Sequence, residues 1–98
     1  MNYEAADPII ESWGRENSVP WCRMYRDEEV RSADIYLSAE RSAQLWLEPL
    51  PQSGDFAVCA WDRRTLRYRE VVSLSNLHSA LDRSLAIIRS WTSSTHAV

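Results

Sequence analysis

FAVCAWDRRTLRYREVVSL, residues 56–74, gathers four arginines, a tryptophan and a tyrosine around one turn. Taken as a cluster, it is a basic, aromatic surface of the kind that grips nucleic acid. Taken with the two-residue period of a strand, it is the two faces of a β-hairpin. An odd-numbered loop puts Phe56, Val58 and Ala60 on one face with Leu66, Tyr68 and Val72. Cys59 and Trp61 then share the other face with Arg67 and Arg69. An even-numbered loop sets those arginines opposite Phe56 and Val58, which suits neither face, so the odd register is expected. In it Trp61 lies beside Arg67 as a cation–π pair, with Arg63 and Arg64 at the tip in water.

The chain on either side extends the same pattern. ADIYLSA (33–39) and AQLWLEP (43–49) alternate as two strands joined across Glu40, Arg41 and Ser42. Their core sets are Ile35, Leu37 and Ala39, and Leu45 and Leu47; Tyr36, Ser38, Trp46 and Glu48 point outward. Pro49, Pro51, Ser53 and Gly54 make the next connection. Upstream, VPWCRMYR reads as a strand followed by an acidic turn, DEEV. Its register is open, and one choice adds Trp21, Arg23 and Tyr25 to the outer face. Asp7 and Pro8 read as an N-cap and first helical position, with Gly14 as a stop.

Ser75 reads as the cap of a closing helix that reaches about Trp91. Leu77, Leu81, Leu85 and Ile88 form its stripe, with Ala80 and Trp91 beside it and Asp82, Arg89 and Ser90 away from it. The tail from 92 to 98 is expected to fray. Helix, about five strands in an antiparallel meander, helix: this order predicts one α+β two-layer domain over residues 1–98, with helices on one sheet face.

Ninety-eight residues suit one core. The hydrophobic share of 45% and charged share of 26% are ordinary for a globular chain. No apolar run approaches the length of a membrane span, and MNYEAADPII lacks the basic and apolar regions of a secretory signal. With only Cys22 and Cys59, a reduced cytoplasmic setting is expected, both thiols acting as small hydrophobes, though a disulfide between them stays open. The net charge of −3 disfavours a general phosphate binder. All basic side chains are Arg, and five Trp accompany them, the two residue types that most often anchor interfaces. At least two of those Trp are expected in the core.

An outer face carrying Tyr36, Trp46, Trp61, Arg67 and Arg69 is a contiguous aromatic and arginine patch, which marks a binding surface. Asp27, Glu28 and Glu29 read either as a solvated turn or as a patch that steers a basic partner. A protein partner fits best. Single-stranded nucleic acid could stack on such a sheet, but no signature of the sheet-type RNA readers is present and the acids repel phosphate. A second copy of the chain would bury the same residues.

Nothing in the sequence has the form of a catalytic, cofactor or metal motif. A Cys59–His78 nucleophile pair lacks a Gly-rich elbow, and two glycines offer no phosphate loop. Cys22, Cys59, His78 and His96 are not spaced as zinc ligands. Neither an enzyme nor a cofactor-binding protein is expected.

IIESWGREN as a short Trp-bearing helix, the meander containing IYLSAERSAQLWLEP, and the closing LHSALDRSLAIIRSW give a layout that resembles small immunity proteins of bacterial polymorphic-toxin and contact-dependent inhibition systems. The resemblance implies a non-enzymatic cytoplasmic protein that binds and blocks a cognate toxin. It carries no individual binding residue over to this chain. Small acidic secretion chaperones, which share the composition, imply an escorting or homodimeric role instead.

Overall fold

A computed structural model describes residues 3–96, with side chains through residue 91. Among these, α1 (Asp7–Asn17) precedes β1 (Cys22–Tyr25), β2 (Glu28–Tyr36), β3 (Ser42–Leu50), β4 (Asp55–Trp61) and β5 (Leu66–Val72). A 3-10 turn, Leu74–Asn76, then leads into α2 (Leu77–His96). Each strand pairs antiparallel with its neighbour in sequence, giving the sheet order β1-β2-β3-β4-β5. This is the expected α+β layout. α2 continues past Trp91, and the tail expected to fray lies where side chains are outside the described residues.

Alternation along the central strands fixes the two faces. Ala43, Leu45 and Leu47 of β3 and Phe56, Val58 and Ala60 of β4 are all buried on the helix side. Leu77, Ala80, Leu81, Leu85, Ile88 and Trp91 of α2 close over them, as the helical stripe requires. Ile10 and Trp13 of α1 complete the core beside α2. Each such aliphatic side chain contributes roughly 1.5–3 kcal/mol of burial free energy.

The ends of α1 differ from the expectation. The helix begins at Asp7, but Asp7 does not cap it, because its carboxylate is taken by arginines. Gly14 does not stop it either. The helix ends at Ser18, in the left-handed conformation, with the Val19 N–H donating to the Gly14 carbonyl at 2.8 Å. Gly14 is instead a site of close approach: a Cβ there would lie 2.6 Å from the Val19 oxygen and 3.0 Å from the Trp21 ring. Trp21 thus packs on α1 and against Trp13, ring centroids 6.1 Å apart.

DEEV is not a turn. The reversal is made by Arg26 and Asp27, both at positive φ (52° and 67°), and Glu28, Glu29 and Val30 already belong to β2. Two left-handed residues between paired Tyr25 and Glu28 are the geometry of a tight hairpin turn whose twist matches the strands. A bulge between Cys22 and Met24 settles the open register of β1. Before it Cys22 pairs with Ser32; after it Tyr25 pairs with Glu28, so Cys22 and Tyr25 share the outer face while Trp21 and Arg23 turn to α1.

Smaller departures follow from where strands stop. β2 ends at Tyr36, so Leu37 only leans on the core and Ala39 is exposed in the connection. β3 runs through Pro49 to Leu50, beyond Trp46, the last β3 residue paired with β2. Proline is tolerated in that stretch because β2 makes no ladder with it there. Ser75 sits inside the 3-10 turn and caps nothing; the Ser73 carbonyl receives the Asn76 N–H.

Candidate functional site: the open face of the sheet

On the side away from the helices, register aligns Ser32, Trp46, Cys59 and Arg69 in one row across β2 to β5. Asp34, Gln44 and Trp61 form the next row, and Tyr36 with Ser42 the one beyond. A trough of about 840 Å3 runs over this face, walled by Tyr25, Tyr36, Trp46 and Trp61 and reaching Asp34, Glu48 and Arg63. Tyr36 is 73% exposed, while Trp46 and Trp61 are half-buried with one side turned to the trough. Large aromatic surface left uncovered by a chain's own layers is the usual composition of an interface core.

Charges set the rim. The Glu48 carboxylate accepts the Trp46 Nε1–H at 3.2 Å and lies 3.8 Å from an Arg69 nitrogen. At the other end the Arg63 guanidinium donates to Asp34 at 2.5 Å and to the Ser42 hydroxyl at 3.2 Å, 5.5 Å from the Trp61 ring centroid. Of the expected residues, Tyr36, Trp46, Trp61 and Arg69 are therefore brought together here. Glu28 lies opposite Tyr25 at the β1–β2 end of the same face, with Asp27 at the turn beside it, and neither lines the trough.

Arg67 and Glu29 are not at this site. A bulge at Ala60/Trp61 pairs Trp61 with Leu66 and leaves Arg67 as the extra residue. Arg67 then swings to the helix side, its guanidinium 4.9 Å from the Trp91 ring centroid and 2.9 Å from Asp62. The expected Trp61–Arg67 pair is replaced by Trp61–Arg63. Leu66, expected in the core, is half-exposed for the same reason. The upstream register holds, since Ala60 pairs with Tyr68 and Phe56 with Val72, as the odd loop requires. Asp62 organises the turn: its carboxylate accepts the N–H groups of Arg64 and Thr65, and these bonds with Arg67 hold its pKa down at about 2.

Glu29 faces the helix layer, where it meets Arg31 at 3.3 Å. Arg31 is the residue that the sequence reading missed. It is only 2% exposed, donates to both Asp7 oxygens (2.7 and 3.0 Å) and to the Val30 carbonyl, and lies over the Tyr3 ring. Its hydrogen bonds hold the Asp7 carboxyl below its ordinary range. No periodic signal marked it, because an Arg at a buried strand position is indistinguishable in sequence from one on the surface.

Cys59 and His78 lie on opposite layers. Cys59 lies between Trp46 and Arg69 in their row, and burial pushes its thiol up to about 11, so it stays protonated at neutral pH. His78 is on the outer surface of the helix layer, 3.4 Å from Glu16 and 3.5 Å from Asp82. Cys22 and Cys59 are both free thiols. Among the described residues no group of three or more His, Cys, Asp or Glu is placed to hold a metal ion, and no helix is long and apolar enough to cross a membrane.

Compared with known protein families, with curated proteins and with solved structures, the chain finds no match.

Proposed function

We propose that this chain is a non-enzymatic binding protein that docks one specific protein partner on the open face of its sheet and occludes it. The function that best joins this mechanism to the layout is that of a cytoplasmic immunity protein neutralising a toxin. The observation that carries the reading is the trough itself, where exposed Tyr36 and half-buried Trp46 and Trp61 converge beside Glu48 and Asp34, with Arg69 3.8 Å from Glu48. Aromatic anchors inside a charged rim are the residues on which interface free energy concentrates. The burial of the protonated Cys59 thiol and its separation from His78 support binding over nucleophilic catalysis.

The test is capture of a partner by the tagged protein from nuclease-treated lysate, followed by reconstitution from the two purified proteins. Trp46→Ala is expected to cost ~2 kcal/mol or more of affinity, with Tyr36→Ala weaker in the same direction. Undiminished affinity in both, with the fold intact, would remove the open face from the mechanism. A dimeric mass for the protein alone, abolished by Trp46→Ala, would assign the face to a second copy.

A further inference from the structure

Arg63 shows what one end of the trough can hold. Its guanidinium meets a carboxylate, a hydroxyl and an indole face together: Asp34 Oδ1 at 2.5 Å, Ser42 Oγ at 3.2 Å and the Trp61 centroid at 5.5 Å. Asp34 and Ser42 come from β2 and β3, and Trp61 from β4, so the recess is built by three strands. Arg63 enters it from the turn tip, where its backbone is left-handed at φ 78°, a conformation that a non-glycine residue adopts at a cost. Both partners of the ion pair are about half-exposed, at 40% and 47%, so the contact is one that solvent screens and a competitor can displace.

Further along the trough Glu48 supplies a second carboxylate, with Trp46 beside it. Beyond it, outside the trough's lining, Asp27 of the Arg26–Asp27 turn and Glu28 stand next to Tyr25, whose ring has Arg26 at 5.1 Å. A cationic segment laid along the trough meets the carboxylates of Asp34 and Glu48, each beside an arginine of this chain, with the faces of Trp61 and Trp46 between them. Arginine fits this surface better than lysine, because its planar head can stack on an indole while its N–H fork pairs with a carboxylate.

We infer that the trough reads an arginine side chain of the protein partner in the recess formed by Asp34, Ser42 and Trp61, and that Arg63 occupies this recess in the free protein. The inference rests on the protein-partner reading and names the chemistry that partner presents. Arg63 acts as a tethered competitor: the partner's affinity is reduced by the fraction of molecules in which the recess is filled from within.

The experiment titrates N-acetyl-arginine amide into isotope-labelled protein and follows the Trp61 and Trp46 indole N–H resonances. The lysine and citrulline amides serve as controls. In Arg63→Ala the arginine probe is expected to bind up to about fivefold more tightly than in wild type, the span that a surface ion pair covers. The lysine probe should bind more weakly and citrulline should leave Trp61 unmoved. Adding Asp34→Asn to Arg63→Ala should abolish the response. Both side chains are exposed enough that melting curves should barely change, so lost binding is not lost fold. No Trp61 response in Arg63→Ala, or an equal response to citrulline, would overturn the inference. So would indole shifts that follow protein concentration instead of the probe, which would give the trough to a second copy. The broader reading fails separately, through partner affinity that is indifferent to Trp46→Ala.

Discussion

The two faces of this sheet use the same residue types for opposite ends. Under the helices Trp13 and Trp91 are buried, Trp21 packs on Gly14, and an arginine, Arg31, is sealed against Asp7. On the open side Trp46 and Trp61 keep one side in solvent, and the arginines there pair with carboxylates across water-accessible contacts. The difference shows in where the indole N–H of one tryptophan on each face goes, Trp13 on the helix side and Trp46 on the open side; that of Trp21 is buried without a partner among the described residues. Trp13 Nε1 donates to Asp82 of α2 at 2.9 Å, tying the two helices together. Trp46 Nε1 donates to Glu48, two residues along its own strand, and ties nothing else down. The helix-side aromatics hold the fold, and the open-side aromatics are free to hold something outside it.

The sharpest way to break this contrast is to truncate one tryptophan on each face. Trp13→Ala removes a fully buried indole and its link to Asp82, and should cost ~3–5 kcal/mol of stability in urea denaturation. Trp46→Ala gives up only half-buried area and should cost no more than about 1.5 kcal/mol. Equal costs would mean that Trp46 is a core residue and that the open face is not spare.

The next largest effect concerns Arg31. Asp7→Ala leaves its guanidinium buried with Glu29, the Val30 carbonyl and the Tyr3 ring, and should cost about 3 kcal/mol, the low end for a broken buried pair. Asp7→Leu combined with Arg31→Met removes both charges and should stay within ~1 kcal/mol of wild type. The pH dependence distinguishes the pair further. Arg31 holds the Asp7 carboxyl below 3.8, so its stabilisation is full above that pH and is lost as pH falls through the lowered value. Acid titration of stability should show that loss in wild type and not in the double variant.

How much of this was legible in the sequence depended on whether a periodic rule governed the residue. β4 is buried on both faces from Phe56 to Ala60, but the α2 stripe and the alternation in β3 were readable, because burying one face of a helix or strand imposes a fixed period. The odd register of the β4–β5 hairpin was readable for the same reason. The Arg26–Asp27 turn was not: its two left-handed residues carry neither the glycine nor the asparagine that usually announces such a turn. Arg67 was misplaced because a one-residue bulge resets parity locally, and the side chain then followed Asp62 and Trp91 to the helix side. Asp7 had the right position for a cap, and a distant arginine outbid the helix for its carboxylate. Tyr36, Trp46, Trp61 and Arg69 of the candidate site came from alternation alone. The Arg63 contact, made from a turn, did not.

The smallest predicted effect tests whether the open-face row is a cover as well as a surface. Cys59 is on the open side yet only 1% exposed, lying between its cross-strand neighbours Trp46 and Arg69. At neutral pH a maleimide should label Cys22, which is exposed, and leave Cys59 unlabelled until the protein unfolds, as counted by mass. Burial raises the Cys59 pKa from 9.0 to about 11, so the folded protein retains a proton that the unfolded chain releases between those values. The associated stability is therefore complete below pH 9.0 and lost as pH rises toward about 11. Trp46→Ala should uncover the thiol, so that Cys59 is labelled in the native state and the alkaline loss of stability shrinks. If Cys59 stays silent in Trp46→Ala, the Trp46 ring is not lying over β4 but standing clear of it. The trough would then be deeper on the β4 side than its resting walls indicate, with more of the indole available to a partner.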